Sequence, residues 1–109
     1  MTSHVQIQFT IDDRDGAEGI VDALLADRLV ACGQTTGPVV SRYWWEGAVH
    51  RSEEWLVLLK TRAVLSDRVT EAILARHPYE TPEVVVLPVT GGAPDYLRWI
   101  DEVTTADGP

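Results

Sequence analysis

Three histidines and one cysteine carry the coordination chemistry open to this 109-residue chain: His4, His50, His77 and Cys32. A metal site draws three or four ligands together from recognisable spacings, such as paired cysteines or histidines one helical turn apart. These four residues are scattered, so any site must assemble in three dimensions or across subunits. His77 has two readings, an imidazole ligand or a helix C-terminal residue interacting with the last carbonyls. Cys32 is either a soft copper ligand or a small inert core residue ending the apolar run Val30-Ala31-Cys32. His50 stands beside a hairpin turn and reads as exposed.

A second group lies on Pro78-Tyr79-Glu80-Thr81-Pro82. Prolines at both ends stiffen this loop and hold Tyr79 and Glu80 at defined positions, which suits a binding cleft or plain chain reversal. Lys60, the single lysine, ends a very apolar run, and its ammonium needs a partner such as Glu80 or Glu83. Together with Trp45, these residues make the candidate ligand cleft: Trp45, Lys60, Tyr79 and Glu80.

Catalytic constellations are poorly represented. There is no Gly-x-Ser-x-Gly elbow, phosphate-binding Gly-rich loop or dinucleotide fingerprint. Glu53 and Glu54 are adjacent and diverge on a strand, which argues against a shared acid-base site there. Gly91-Gly92 could receive an anion at a helix N-terminus, but Asp95 follows closely. The chain therefore reads as a binding protein and not an enzyme. An enzymatic alternative would have to use Lys60, Tyr79 and Glu80.

Charge and composition narrow the partners. A net charge of -8, with nine Lys and Arg spread along the chain, leaves no basic surface for nucleic acid. The longest aliphatic runs, residues 56–59 and 84–87, are too short to span a bilayer. No basic-then-apolar leader opens the sequence, and one cysteine permits no internal disulfide framework. The expected setting is the cytoplasm, away from membranes and nucleic acid.

These side chains must be positioned by a short list of elements. His4–Ile11 alternates, with Val5, Ile7, Phe9 and Ile11 on one face, and predicts a half-buried strand. Asp12 and Asp13 offer caps for a helix whose stripe is Ala17, Ile20, Val21, Leu24 and Leu25. Residues 29–32 predict a short strand broken by Gly33 and Gly37-Pro38. Residues 39–45 predict the next, with Gly47 marking a hairpin and residues 54–61 returning as an apolar strand. A helix over 64–76 ends at His77-Pro78. Val84–Val89 is the last core strand, and Pro94–Val103 an added helix with proline in its first turn.

The resulting order is β-α-β-β-α-β plus a helix, an α+β ferredoxin-like plan with one domain over residues 1–103 and a frayed tail at 104–109. Trp44 and Trp45 are neighbours on a strand and cannot both enter one core. One is expected inside and the other under a second cover. Trp44, Trp45 and Trp55 together predict an apolar open sheet face buried in a homo-oligomer.

Five stretches, in order, resemble the CutA divalent-cation tolerance proteins: residues 29–32, Tyr43-Trp44-Trp45-Glu46-Gly47, Leu59-Lys60-Thr61, residues 77–83 and Pro94-Asp95-Tyr96-Leu97-Arg98-Trp99. The resemblance runs from about Val5 to Val103. It implies a homotrimer of PII-like architecture, with Trp44, Trp45 and Trp55 at the interface, and a link to copper and other divalent ions. It implies no established catalysis. The chain has Phe9 where some members carry a cysteine, and Arg76 where some carry a second histidine, which removes two possible ligands. The implied metal site, at His77 and Cys32, is therefore expected to hold Cu²⁺ or another divalent cation weakly. The alternative is a PII-like sensor whose intersubunit clefts take a small metabolite or a protein partner.

Overall fold

Strict alternation along β1 (His4–Ile11) divides the rest of the fold into two faces. In this structure, a computed structural model that describes residues 2–105, Val5, Ile7, Phe9 and Ile11 are buried beneath two helices. The first, α1 (Arg14–Ala26), begins where the Asp13 carboxylate accepts the Gly16 N–H at 2.9 Å. Its inward stripe is Ala17, Ile20, Val21 and Leu24. The second, α2 (Ser66–Arg76), is entered through a 3-10 turn at Ala63–Leu65, so the helix expected from 64 starts slightly later. Val69 and Ile73 are its buried contacts, and the backbone turns extended at His77 ahead of Pro78.

Cys32–Trp45 forms β2, Ala48–Arg62 forms β3 and Val84–Val89 forms β4. The four strands make an antiparallel sheet in the order β2-β3-β1-β4. Two expectations change here. Residues 29–31 are a buried link and not a strand, and β2 does not stop at Gly37-Pro38. It passes through with a register shift between Thr36 and Val39. Gly37 makes that passage possible: its φ is +156°, and an added Cβ would sit 2.8 Å from the Trp55 ring.

The hairpin is longer than its sequence suggests, because β3 begins at Ala48 and not at Glu54. β1 pairs only with residues 55–62 of β3. Residues 39–45 and 48–54 pair with each other alone and form a two-stranded arm beyond the sheet. Glu46 and Gly47, with φ of 49° and 80°, turn its tip. The arm stretches the molecule to 44 Å against 25 and 22 Å in the other directions.

This arm overturns the expected placement of the tryptophans. Neither Trp44 nor Trp45 fills the interior, being 75% and 38% exposed, because the arm extends past the helical layer. Trp55 does not lie on the open face. It shares the core face with Val57 and Leu59, packs against the hydrophobic cluster, and has the Arg14 guanidinium 5.4 Å from its ring centre.

The opposite sheet face is not bare either, because α3 (Pro94–Val103) lies across one end of it. His4 Nε2 meets Asp101 Oδ1 at 2.8 Å, and Cys32 Sγ meets Tyr96 Oη at 3.5 Å. Beyond α3, Thr104 is buried and its Oγ1 accepts from Arg62 Nε at 2.9 Å. The Thr105 N–H donates to the Arg28 carbonyl, and its own carbonyl accepts from the Arg62 guanidinium. The expected frayed tail therefore does not begin at Thr104. The rest of it, residues 106–109, lies outside the described residues.

Candidate functional site

Where the arm leaves the sheet, the loop over residues 77–83 runs beside it and the two border an open cleft of about 780 Å³. Ser41, Tyr43 and Trp45 recur at period two on β2 and so share one face of the arm. Their neighbours across the ladder include Ser52 and His50 of β3. Tyr43 stacks on His50 with ring centres 6.0 Å apart, and its Oη accepts from Ser52 Oγ at 3.5 Å. Thr10 and Asp12 close the cleft from the end of β1.

Its inner wall is a polar pair, with Glu54 buried and Tyr79 half-buried. Tyr79 Oη donates to Glu54 Oε2 at 2.8 Å, and Glu54 is only 6% exposed. Burial, then this hydrogen bond and the Glu54 charge, push the Tyr79 phenol far above its ordinary value. The Pro78–Pro82 loop thus presents Tyr79 to the arm, with Glu80 beside it on the cleft wall.

His77 supports this wall. Its Nδ1 accepts the Tyr79 backbone N–H at 3.2 Å, so Nε2 carries the proton and donates to the Thr10 carbonyl at 2.7 Å. The ring also meets Tyr79 edge-on at 4.5 Å and Phe9 at 6.0 Å. The His77 ring therefore spans from the helix end to β1, while the His77 backbone N–H caps α2 as expected, donating to the Ile73 carbonyl at 2.9 Å. No ring lone pair is left for a cation.

Cys32 is elsewhere. It lies opposite Lys60, which lies opposite Gln6, four residues along β1 from Thr10. Four strand residues span about 13 Å, so His77 and Cys32 cannot grip one ion within a single chain. The Cys32 contact and partial burial push the Tyr96 phenol up to about 12. Among the described residues, no three His, Cys, Asp or Glu side chains converge on a possible metal position. The described residues of one chain therefore do not fit a closed metal site.

Of the four residues assigned to a cleft from sequence, Trp45, Tyr79 and Glu80 line this one and Lys60 does not. Lys60 points to the α3 side at the Cys32 level, and among the described residues it pairs with neither Glu80 nor Glu83. The sequence reading missed Glu54, Tyr43 and Ser52. One signal was available: adjacent Glu53 and Glu54 must point to opposite faces, so one of them had to face the side of the arm that carries Trp45.

The CutA1 divalent ion tolerance protein family model matches residues 5–103. The chloroplastic protein CutA 1 of Oryza sativa is 34% identical over 100 residues, 92% of this chain. The chain spans just 56% of that rice protein's length. The Escherichia coli divalent-cation tolerance protein CutA is 36% identical over 100 residues, covering 92% of this chain and 89% of that protein. The crystal structure of CutA1 from Oryza sativa superposes with a TM-score of 0.93 at 32% identity, covering 97% of each chain.

Proposed function

This chain belongs to the CutA1 divalent ion tolerance family, and from that premise we propose that it serves divalent-cation tolerance by binding, as a homotrimer of PII-like architecture. The observation that carries the reading is the family match, which runs from β1 to the end of α3. The self-assembly part rests on surface chemistry. Val40, Trp44 and Val49 are each more than half exposed and recur at one face of the arm. At the far side of the sheet, β4 has a free edge with Val85, Val86 and Leu87 partly exposed. An arm that outreaches its own sheet can cover such an edge only on another copy.

Copper is the ion to test first, because most N/O/S sites bind it more tightly than other divalent ions. With His77 engaged and remote from Cys32, a tight site must draw ligands from more than one subunit. One unpaired cysteine supports a reducing, cytoplasmic setting. No helix of the described residues is long and apolar enough to cross a membrane.

Light scattering after size exclusion, at micromolar concentration, tests the assembly and should return three times the chain mass. A well-folded monomer overturns it. Calorimetry with Cu²⁺, Zn²⁺ and Mg²⁺ tests the cation, and a saturable heat that follows the order of ligand affinity supports binding. If no ion gives a saturable heat, the second reading takes the lead. That reading is a PII-like sensor whose intersubunit clefts take a small metabolite or a protein partner, and the cleft between the arm and the 77–83 loop supports it.

A further inference from the structure

Arg42 and Arg51 stand directly opposite each other across the two strands of the arm. Side chains so opposed have Cβ atoms about 4.5–5.5 Å apart, and like charges there destabilise a strand pair. Both arginines are exposed, and among the described residues neither forms an ion pair. Glu53 lies on the same face, opposite Val40, and pairs with neither. Arginines elsewhere are engaged within the chain: Arg14 meets Glu18, Arg98 meets Asp95 and Arg62 meets Thr104. The arm pair is left facing outward.

Its surroundings make a pattern. Arg51 and Val49 continue the row of β3 that carries Trp55, Val57 and Leu59, so this is the helix-side face of the arm. Val40 lies at one end of the arginine pair, and Trp44 with Val49 at the other. The face therefore reads apolar, basic, apolar over residues 40–44, a length of about 13 Å.

α2 carries the complement. Asp67 and Glu71 are exposed and one turn apart, a like-charge spacing that is unfavourable in an isolated helix, and among the described residues neither is in an ion pair. Val64 and Leu74 continue the same stripe at spacings of three residues, and both are exposed. This stripe reads apolar, acidic, apolar over about 15 Å. Both patterns have apolar ends, so they match in either direction.

The two stripes do not meet within one chain, because β2 and β4 are opposite edges of the sheet and α2 packs against β4. On a second copy they can. An arm laid along that copy's free β4 edge continues its sheet, and the helix-side residues of the arm then project on the side where α2 lies.

We propose that the helix-side face of each arm docks on the α2 stripe of a second copy, with Arg42 and Arg51 paired to that copy's Asp67 and Glu71 and the apolar ends covering one another. The inference rests on the homotrimer reading above and names the contact that selects the partner.

Urea-driven dissociation at fixed chain concentration, followed by light scattering, tests it on the parent and three variants. Arg42→Glu with Arg51→Glu should dissociate at lower urea than the parent, and so should Asp67→Lys with Glu71→Lys. The chain carrying all four substitutions should recover most of the loss. Net charge alone would move the two reversals in opposite directions, since one makes an acidic chain more acidic and the other less so. An unchanged or raised midpoint in either reversal overturns the contact while the trimer stands. Loss in both without recovery in the combined chain overturns the pairing of these two faces. A monomeric parent overturns the trimer reading and this contact with it. Arg42→Gln with Arg51→Gln adds no charge to the arm and should give a smaller loss in the same direction. It decides the matter if a reversal misfolds, and an unchanged midpoint there also overturns the contact.

Discussion

His77 holds the Thr10 carbonyl at 2.7 Å through one ring nitrogen and receives the Tyr79 N–H at 3.2 Å through the other. One imidazole thus fastens the end of β1 to the loop that carries Tyr79, and two backbone groups fix its tautomer. His77→Ala leaves both groups without that partner and opens a gap against Phe9. The expected loss is about 1–3 kcal/mol, read as a lower thermal midpoint. His50→Ala, on the exposed arm, should cost within about 0.5 kcal/mol. Copper titrations of the two variants should be alike. A selective loss of Cu²⁺ affinity in a folded His77→Ala protein would restore the histidine as a ligand.

The tryptophans should separate folding from assembly. Trp55→Glu buries a charge against the core cluster and should prevent folding. Trp44→Glu sits on the open arm and should leave the secondary structure of the subunit intact while dissociating the proposed trimer. Circular dichroism and light scattering on the same samples distinguish the two. A Trp44→Glu protein that stays trimeric removes this residue from the interface.

Two tyrosines should make the fold sensitive to alkali. The Tyr96 phenol is raised from 10.0 to about 12, chiefly through Cys32 and then by burial, so the folded state favours its protonated form. Its contribution is intact below pH 10 and is lost as pH rises through about 12. Tyr79 shifts in the same direction through burial and Glu54. Denaturant midpoints should fall across this window, less steeply in Tyr96→Phe. Phenolate absorbance should lose a late-ionising step in the same variant.

Gly37 and Gly91 give a matched pair. Alanine at Gly37 forces a rare φ and drives a methyl to 2.8 Å from Trp55, for an expected cost of about 1–3 kcal/mol. Alanine at Gly91 meets nothing within 4 Å and should be close to neutral. Urea midpoints followed by tryptophan fluorescence compare them directly. Equal midpoints would mean that β2 passes Trp55 by another route.

Sequence periodicity was sufficient where one rule acted alone. β1, α1, β4 and α3 were legible because each has a clean stripe or alternation and an ordinary cap or stop. β2 was not, since Gly37-Pro38 reads locally as a break and only pairing with β3 carries the strand across it. Alternation correctly put Trp44 and Trp45 on opposite faces. It carries no information on where the helical layer ends, so the exposure of both was invisible. Tyr79, Glu80 and Trp45 were found as polar and aromatic residues near breaks in the chain. Lys60 was misplaced because its neighbours depend on register, which puts Cys32 and Gln6 beside it.

The seating of α3 has a consequence for the order of events during synthesis. His4 must wait for Asp101, 97 residues downstream, and Cys32 for Tyr96, 64 residues downstream. At a translation rate of about 5–20 residues per second, the sheet face beneath α3 stays uncovered for seconds after β1 has emerged from the ribosome. Over that interval the nascent chain carries the apolar arm and an unlidded sheet together, so a chaperone or a neighbouring nascent copy has its best opportunity before Asp101 is translated.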